Sequence, residues 1–296
     1  MVNISRFIFV VFPLLISVAF LTLLERKLLR LVGLRLGPNK VSTGGFFQPI
    51  TDAIKLSNKR VNLLSNFSVV FYISSSSFIL ILRLVLISCL CIFPSPVSFK
   101  YSILFFFLVL GFNSFNSMLG GWRTFGKYPL IGRLRTVSQL ISYEAVLYVC
   151  LFSLVIVSSS FDFCSFRFLS IFGFGVLVIP CLFVWVPTFL AELNRTPFDF
   201  SEGERELVRG FNTEYGSTCF TLIFLSEYSN IIFFCILSSF LFFKGLGSFF
   251  LFLVFFVIWL RSVIPRFRFD KLMGLAWKFY IPFLTFYFLF LFLFIS

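Results

Sequence analysis

STCFTLIFLSEYSNIIFFCILSSFLFF, residues Ser217 to Phe243, holds a single charged side chain, Glu227, in a run longer than the ~20 residues that carry a helix across ~30 Å of hydrocarbon. Seven further apolar stretches share that character: Phe7 to Leu24, Phe67 to Phe93, Tyr101 to Trp122, Val137 to Ser160, Phe168 to Leu190, Gly247 to Leu260 and Leu272 to Ile295. The chain therefore reads as all-α, a polytopic transmembrane helix bundle with about eight spans. Composition agrees: of 296 residues 59% are hydrophobic and 12% charged, with mean hydropathy +1.02, whereas soluble domains are about half apolar and about one quarter charged.

The same composition removes whole classes of chemistry. There is no histidine, so Ser-His-Asp triads, imidazole-ligated metals and HExxH zinc sites are excluded. The seven cysteines, Cys89, Cys91, Cys150, Cys164, Cys181, Cys219 and Cys235, form no CxxC pair and sit almost entirely in apolar runs, where free cysteine acts as a small hydrophobe. Gly173-Phe-Gly175 lies inside an apolar run and lacks a third glycine, so it is no dinucleotide fingerprint. No loop is long enough for a soluble domain, no repeat at a fixed period is found, and the start of the chain does not read as a cleaved leader. The expected organisation is one integral membrane domain, 1–296, with inner-face loops near 25–66, 123–136, 191–216 and 261–271.

Charge fixes the orientation. Nineteen of the 25 Lys and Arg residues fall in those four loops, while Arg6, Lys100, Arg167 and Lys244 fall on the other side. The positive-inside rule then puts both termini on the outer face. The net charge of +13 is a collar on the inner face rather than a nucleic-acid footprint.

The acids gather on the same face, and seven of the twelve lie between Glu192 and Glu227. Ser201 and Glu204 form a capping-box pattern, so a helix starting there would bring Asp199, Glu202 and Glu206 close to one face, with Arg209 three residues after Glu206. Crowded carboxylates at a membrane boundary can hold and pass protons near neutral pH; a solvated acidic loop neutralising its basic neighbours is the plainer reading of the same residues. In the first loop Phe46, Phe47, Ile50, Ala53 and Ile54 recur at helical spacing, which suggests a short amphipathic helix on the membrane surface. Arg266-Phe267-Arg268 alternates guanidinium and aromatic groups after Pro265, suited to a planar oxygen-rich ligand or an acidic partner loop. Glu144 and Glu227 lie within spans, where an acid costs about 2.5 to 3.5 kcal/mol on insertion scales and is expected to face protein or water. Their tyrosine neighbours, Tyr143 and Tyr228, cannot share their helix face and are expected to bond elsewhere. Proton relay is the default reading of Glu144 and Glu227, and a structural salt bridge with Lys278 or Arg83 is the alternative; Arg83, deep in the second span, has no acid near it in sequence.

These polar strings resemble one family: the chain 1 membrane subunits of the proton-pumping NADH:quinone oxidoreductases, respiratory complex I, in their mitochondrially encoded form. The likeness is carried by Glu25-Arg26-Lys27, Arg35-x-Gly37-Pro38-Asn39, Gln48-Pro49-x-x-Asp52-x-x-Lys55-Leu56, Leu130-Ile131-Gly132-x-Leu134-Arg135 and Gln139-x-Ile141-Ser142-Tyr143-Glu144. It continues through Glu192-x-Asn194-Arg195-Thr196-Pro197-Phe198-Asp199, Glu202-Gly203-Glu204-x-Glu206-Leu207-Val208, Phe211-Asn212-x-Glu214-Tyr215, Glu227-Tyr228 and Pro265-Arg266-Phe267-Arg268. It covers essentially the whole chain. Arg205 and Arg209 depart from it, standing where the family usually has small polar residues.

The resemblance implies a multi-pass subunit of the mitochondrial inner membrane that builds much of a quinone chamber and couples quinone reduction to proton translocation. It implies ubiquinone as substrate, with NADH, FMN and iron–sulfur clusters in partner subunits and no metal or covalent cofactor here. Arg26, Arg35, Arg135, Arg195, Asp199, Glu202, Glu204, Glu206, Arg266 and Arg268 would form the chamber and inner-face network. Glu144, Glu192, Glu214 and Glu227 would form the proton path. Partners would be the other membrane-arm and peripheral-arm subunits, the quinone and the lipid bilayer. A secondary transporter using the same acids for H+ or Na+, or the matching subunit of a membrane-bound hydrogenase or plastid dehydrogenase, are the competing readings. Purification from native membranes separates them: the chain is expected to travel with a megadalton assembly whose NADH:quinone activity quinone-site inhibitors block, and isolation as an independent carrier would refute this.

Overall fold

The structure, a computed structural model, describes residues 2–39, 41, 43–59, 69–88, 90, 100–122, 127–163, 165–168, 171–199, 216–243, 245 and 247–295. Every regular element among them is helical. The long helices are α1 (Val2–Val32), α3 (Val69–Ser88), α4 (Ser102–Trp122), α5 (Lys127–Ser158), α6 (Ile171–Glu192), α7 (Ser217–Phe243) and α8 (Gly247–Val263), with the short α2 (Gln48–Ser57) between the first two. The last element runs as α9 (Phe269–Leu275), a π turn at Ala276–Tyr280 and α10 (Ile281–Ile295). Pro282 has no N–H to donate to the preceding turn, and widening into a π turn is one way a helix passes such a residue. Among the described residues, Ser102–Gly121, Lys127–Ser158, Thr218–Phe243 and Phe269–Phe294 are long and apolar enough to cross a membrane. Ile73–Ile87, Leu177–Glu192 and Gly247–Val263 are shorter apolar helices. The polytopic helix bundle read from the sequence is the observed architecture.

α5 lies against α4, α6 and α10, while α7 lies against α1, α3, α6 and α8. Phe106 stacks on Phe233 with ring centroids 5.7 Å apart, and Trp185 and Phe189 flank Phe234. Phenylalanine plays two parts. Phe106, Phe189, Phe233 and Phe234 are buried, whereas Phe286, Phe292 and Phe294 on α10 point outward, as expected of a surface solvated by lipid chains rather than water. Cys150, Cys181, Cys219 and Cys235 are free and buried, in keeping with their reading as small hydrophobes; Cys89, Cys91 and Cys164 lie outside the described residues.

Two helices run further than the apolar runs suggest. α1 continues from Leu24 to Val32, and α5 begins at Lys127, ten residues before Val137, so most of the expected 123–136 loop is helix. Hydropathy marks the length that lipid surrounds, while the hydrogen-bonded helix extends wherever packing supports it. Here the support is visible at Gly121. A Cβ at this position would lie 2.6 Å from Cβ of Arg133, so the glycine lets α4 approach α5 and bury Arg133. Gly45 serves the first loop: its φ is +79°, and a Cβ would meet the Pro38 carbonyl oxygen at 2.3 Å.

The amphipathic helix expected in the first loop is α2. Phe46, Phe47, Ile50 and Ile54 are all more than half exposed, while Asp52 faces α1 through Arg26, 2.5 Å away. The apolar side thus turns away from the bundle.

Replacing Gly121 with Val is expected to cost about 1–3 kcal/mol through overpacking against Arg133. Thermal inactivation of the protein in its native assembly measures this, and an unchanged inactivation midpoint would refute the close approach of α4 and α5.

Candidate functional site

Three carboxyl groups and one guanidinium converge from four helices. Glu192 occupies the last turn of α6, where Asn194, with φ of +50°, ends the helix in the left-handed conformation that asparagine tolerates. Gln139 of α5 secures this end by donating from Nε2 to the carbonyls of Ala191 (2.9 Å) and Phe198 (3.1 Å). Glu192 Oε1 lies 3.4 Å from Nη2 of Arg83 on α3, and both side chains are almost wholly buried. Glu144 of α5 and Glu227 of α7 are within electrostatic reach of the same guanidinium, and the hydroxyls of Tyr148 and Ser114 lie beside Glu144. Arg83, Arg133, Glu192, Glu227, Asn113, Ser117 and Asn230 contribute to the wall of a cavity of about 70 Å³. That is room for several waters, since one needs roughly 10–15 Å³ measured this way.

A second cluster sits beside the first. Glu25 of α1, 4% exposed, accepts from Arg195 Nη1 at 2.9 and 3.1 Å, from Arg261 Nη1 of α8 and from the Tyr228 hydroxyl of α7 at 2.5 Å. The Arg195 guanidinium also lies 4.2 Å from the Tyr228 ring centroid. Burial opposes the charge of Arg195, but Glu25 foremost, then Tyr228 and Glu227, more than offset it and hold the group above the usual arginine range. One carboxylate thus ties α1, α7, α8 and the loop after α6 together.

That loop meets a third segment. Phe267 stacks on Phe198 with centroids 5.6 Å apart and planes 9° from parallel, and its N–H donates to the Pro197 carbonyl at 3.1 Å. Arg266 and Arg268, on either side of Phe267, are exposed, and Asp199, next to Phe198, is half-buried. Arg26 pairs with Asp52, which also accepts from Gln48 at 3.1 Å. Arg35 is exposed just beyond α1, its carbonyl accepting from Arg30, and Arg135 is half-buried on α5. Between α1, α2 and α7 lies a mainly apolar cavity of about 440 Å³, whose wall includes Val18, Arg26, Pro49, Leu56 and Phe224.

Of the residues singled out in the sequence, the structure brings Glu144, Glu192 and Glu227 together, and sets Arg195 beside them. It keeps Arg26, Arg35, Arg135, Arg266 and Arg268 outside that buried group. Glu202, Glu204, Glu206 and Glu214, with the helix expected after Ser201, lie outside the described residues. The tyrosines bond away from their neighbouring acids: Tyr143 donates to the Leu272 carbonyl at 3.1 Å and Tyr228 to Glu25. Sequence reasoning missed Arg133, left the partner of Arg83 open, and passed over Glu25 as a site residue. The signal for Glu25 was present in Glu25-Arg26-Lys27 directly after an apolar run. Among the described residues no group of three or more His, Cys, Asp and Glu side chains could hold a metal ion.

This combination defines a class: a polytopic helical membrane protein with a cluster of ionisable groups in its interior beside a water-sized cavity. The NADH dehydrogenase family pattern matches residues 5–292. The chain is 43% identical to the NADH-ubiquinone oxidoreductase chain 1 of Anopheles gambiae over 277 residues, covering 90% of this chain and 88% of that one. To the chain 1 of Locusta migratoria it is 43% identical over 297 residues, covering 97% and 94%. For Paracentrotus lividus the identity is 38%, covering 91% and 88%. The chain belongs to the NADH dehydrogenase family, as its polar strings indicated, and the transporter reading is set aside.

Removing the tyrosine hydroxyl by Tyr228→Phe deletes one bond to a charged group, about 1.5–3 kcal/mol. Glu25→Leu leaves two guanidiniums facing each other without their anion and is expected to cost more, about 3–5 kcal/mol. The yield and thermal stability of the assembled protein should fall in that order, and equal effects would refute the shared-carboxylate geometry.

Proposed function

We propose that this chain is the core membrane subunit of an NADH:ubiquinone oxidoreductase in the mitochondrial inner membrane, with both termini facing the intermembrane space and the inner loops facing the matrix. Its inner loops build much of the quinone chamber, and its acids couple quinone reduction to proton translocation. NADH, FMN and the iron–sulfur clusters belong to partner subunits of the peripheral arm. Family membership and the names of the relatives support the assembly. The observation that carries the coupling role is the gathering of Glu144, Glu192 and Glu227, from three helices, around Arg83, with Glu192 and Glu227 on the wall of a cavity large enough for water.

The chemistry follows from charge. Quinone becomes quinol by taking up two electrons and two protons, so its charge changes transiently beside any carboxylate that lines its site. In a poorly hydrated interior such a change acts strongly on nearby ionisable groups, because Coulomb energy scales inversely with the local dielectric constant. In the proposed sequence, Asp199 and the acids Glu202, Glu204, Glu206 and Glu214 of the loop after α6 respond first. Arg195, just past α6 in the same segment and within electrostatic reach of Glu227, is the proposed link from these acids to the buried carboxyls. Protons then move among Glu227, Glu192 and Glu144 through cavity waters. Arg26, Arg35, Arg135, Arg266 and Arg268 position the quinone head or the peripheral subunits. The apolar cavity between α1, α2 and α7 has the lining to admit a lipid-soluble substrate from the bilayer.

The test is substitution of Glu144, Glu227, Glu202 and Glu206 by Gln, one at a time, in the assembled oxidoreductase. Coupled quinone reduction, normalised to NADH oxidation by an artificial acceptor as a measure of assembled enzyme, is expected to fall by about tenfold or more, since a positioned proton-transfer group contributes about 10²–10⁴-fold. Unaltered coupled turnover in all four variants would overturn the reading.

A further inference from the structure

The carboxyl cluster contains a cation whose part in it has not been assigned. Arg83 stands in the interior of α3 with 6% of its surface exposed. Its Nη2 approaches Glu192 Oε1 at 3.4 Å, longer than the about 2.7–2.9 Å of a close charge-assisted bond. Its Nη1 is buried without a hydrogen-bond partner, and so is Glu192 Oε2. Both side chains line the cavity between α3, α4, α5, α6 and α7. The charged groups that face Arg83 are Glu192 of α6, Glu144 of α5 and Glu227 of α7; Arg133 of α5 lines the same cavity.

An arginine side chain does not lose its proton in a protein, whereas a carboxyl exchanges one readily. Arg83 is therefore a permanent charge among groups that titrate. A buried pair adds little net stability over well-packed apolar residues, and this pair is not even closed: one donor and one acceptor have no partner, in two residues that line a space sized for water. Cohesion alone gives no reason for an arginine in this place. Its field gives one, because every carboxyl of the cluster lies within its reach.

We propose that Arg83 is a positioning residue for proton transfer, the fixed counter-charge of the cluster. It stabilises one negative charge centred on Glu192 and thereby sets how many protons Glu144, Glu192 and Glu227 hold between them. The cavity waters bridge Nη1 and Glu192 Oε2 and give the remaining proton its route. This rests on the relay reading above, which could hold without it: the relay needs exchangeable carboxyls, and the present inference adds that a neighbouring permanent cation sets their occupancy.

The experiment compares Arg83→Met, which keeps the length and removes the charge, with Arg83→Lys, which keeps the charge and loses the forked geometry. Both are measured in the assembled oxidoreductase for coupled quinone reduction per unit of artificial-acceptor activity, and for the infrared band of protonated carboxyl groups. Arg83→Met is expected to lose coupled turnover by about tenfold or more and to gain carboxyl-band intensity, whereas Arg83→Lys should stay within about twofold of the parent on both readouts. Loss of the same size in both variants, with no change in the band, would assign Arg83 a purely structural role and overturn the proposal. Should Arg83→Met fail to assemble, Arg83→Lys decides alone: assembled and coupled it supports the proposal, assembled but uncoupled it refutes it. Failure of the underlying relay is recognised separately, by coupled turnover surviving Glu144→Gln and Glu227→Gln. If those two variants lose turnover while Arg83→Met keeps it, only the role of Arg83 falls.

Discussion

A charge taken into the interior of a membrane protein has little water to solvate it and must find an opposite charge or a proton. That constraint organises this molecule. Glu25 would be untenable in the bundle by itself; held by Arg195, Arg261 and Tyr228 it becomes the point where α1, α7, α8 and the loop after α6 meet. Arg83 and Glu192 do the same for α3 and α6, with Glu144 and Glu227 drawing in α5 and α7. Apolar packing holds the rest of these helices together but is tolerant of sliding, because lipid chains solvate Phe and Leu as well as a neighbouring helix does. Charge pairing fixes position.

The two clusters are joined by their construction. Glu227 and Tyr228 are adjacent on α7, so the helix turns one toward the Arg83 cavity and the other toward Glu25. At the end of α6, Glu192 serves the first cluster and Arg195, just past the helix, serves the second. Two short stretches of chain therefore connect the interior pair around Arg83 to the cluster around Glu25. The stacking of Phe267 on Phe198 fastens the segment after α8 to the same loop, which places Arg266 and Arg268 beside it.

Much of this was legible beforehand, and the physical reasons for the exceptions are specific. The spans were visible because some twenty apolar residues in a row have no other common use. α2 was visible because Phe46, Phe47, Ile50 and Ile54 repeat at helical spacing. The true start of α5 was hidden, since Arg133 and Thr136 are polar and hydropathy cannot distinguish a polar helix end from a loop; what supports the longer helix is the fit of Arg133 against Gly121 of α4, a contact that hydropathy does not register. The importance of Glu144 and Glu227 could be argued from the cost of an acid in a span, and Arg83 and Lys278 were both candidate partners; the choice of Arg83, and its pairing with Glu192, took the folded chain.

The sequence by itself determined the membrane-spanning helical class, the crowding of acids between Glu192 and Glu227, and the family, because each follows from local composition or from the order of residues along the chain. Only the tertiary structure decided that Arg83 belongs to Glu192, that Glu25 holds two arginines and a tyrosine, and that Glu144 and Glu227 both come within reach of Arg83. Those partners lie 109, 170 and 236 residues apart in three of the pairs, and a charge chooses its partner by distance through space, which the order of residues along a chain does not contain.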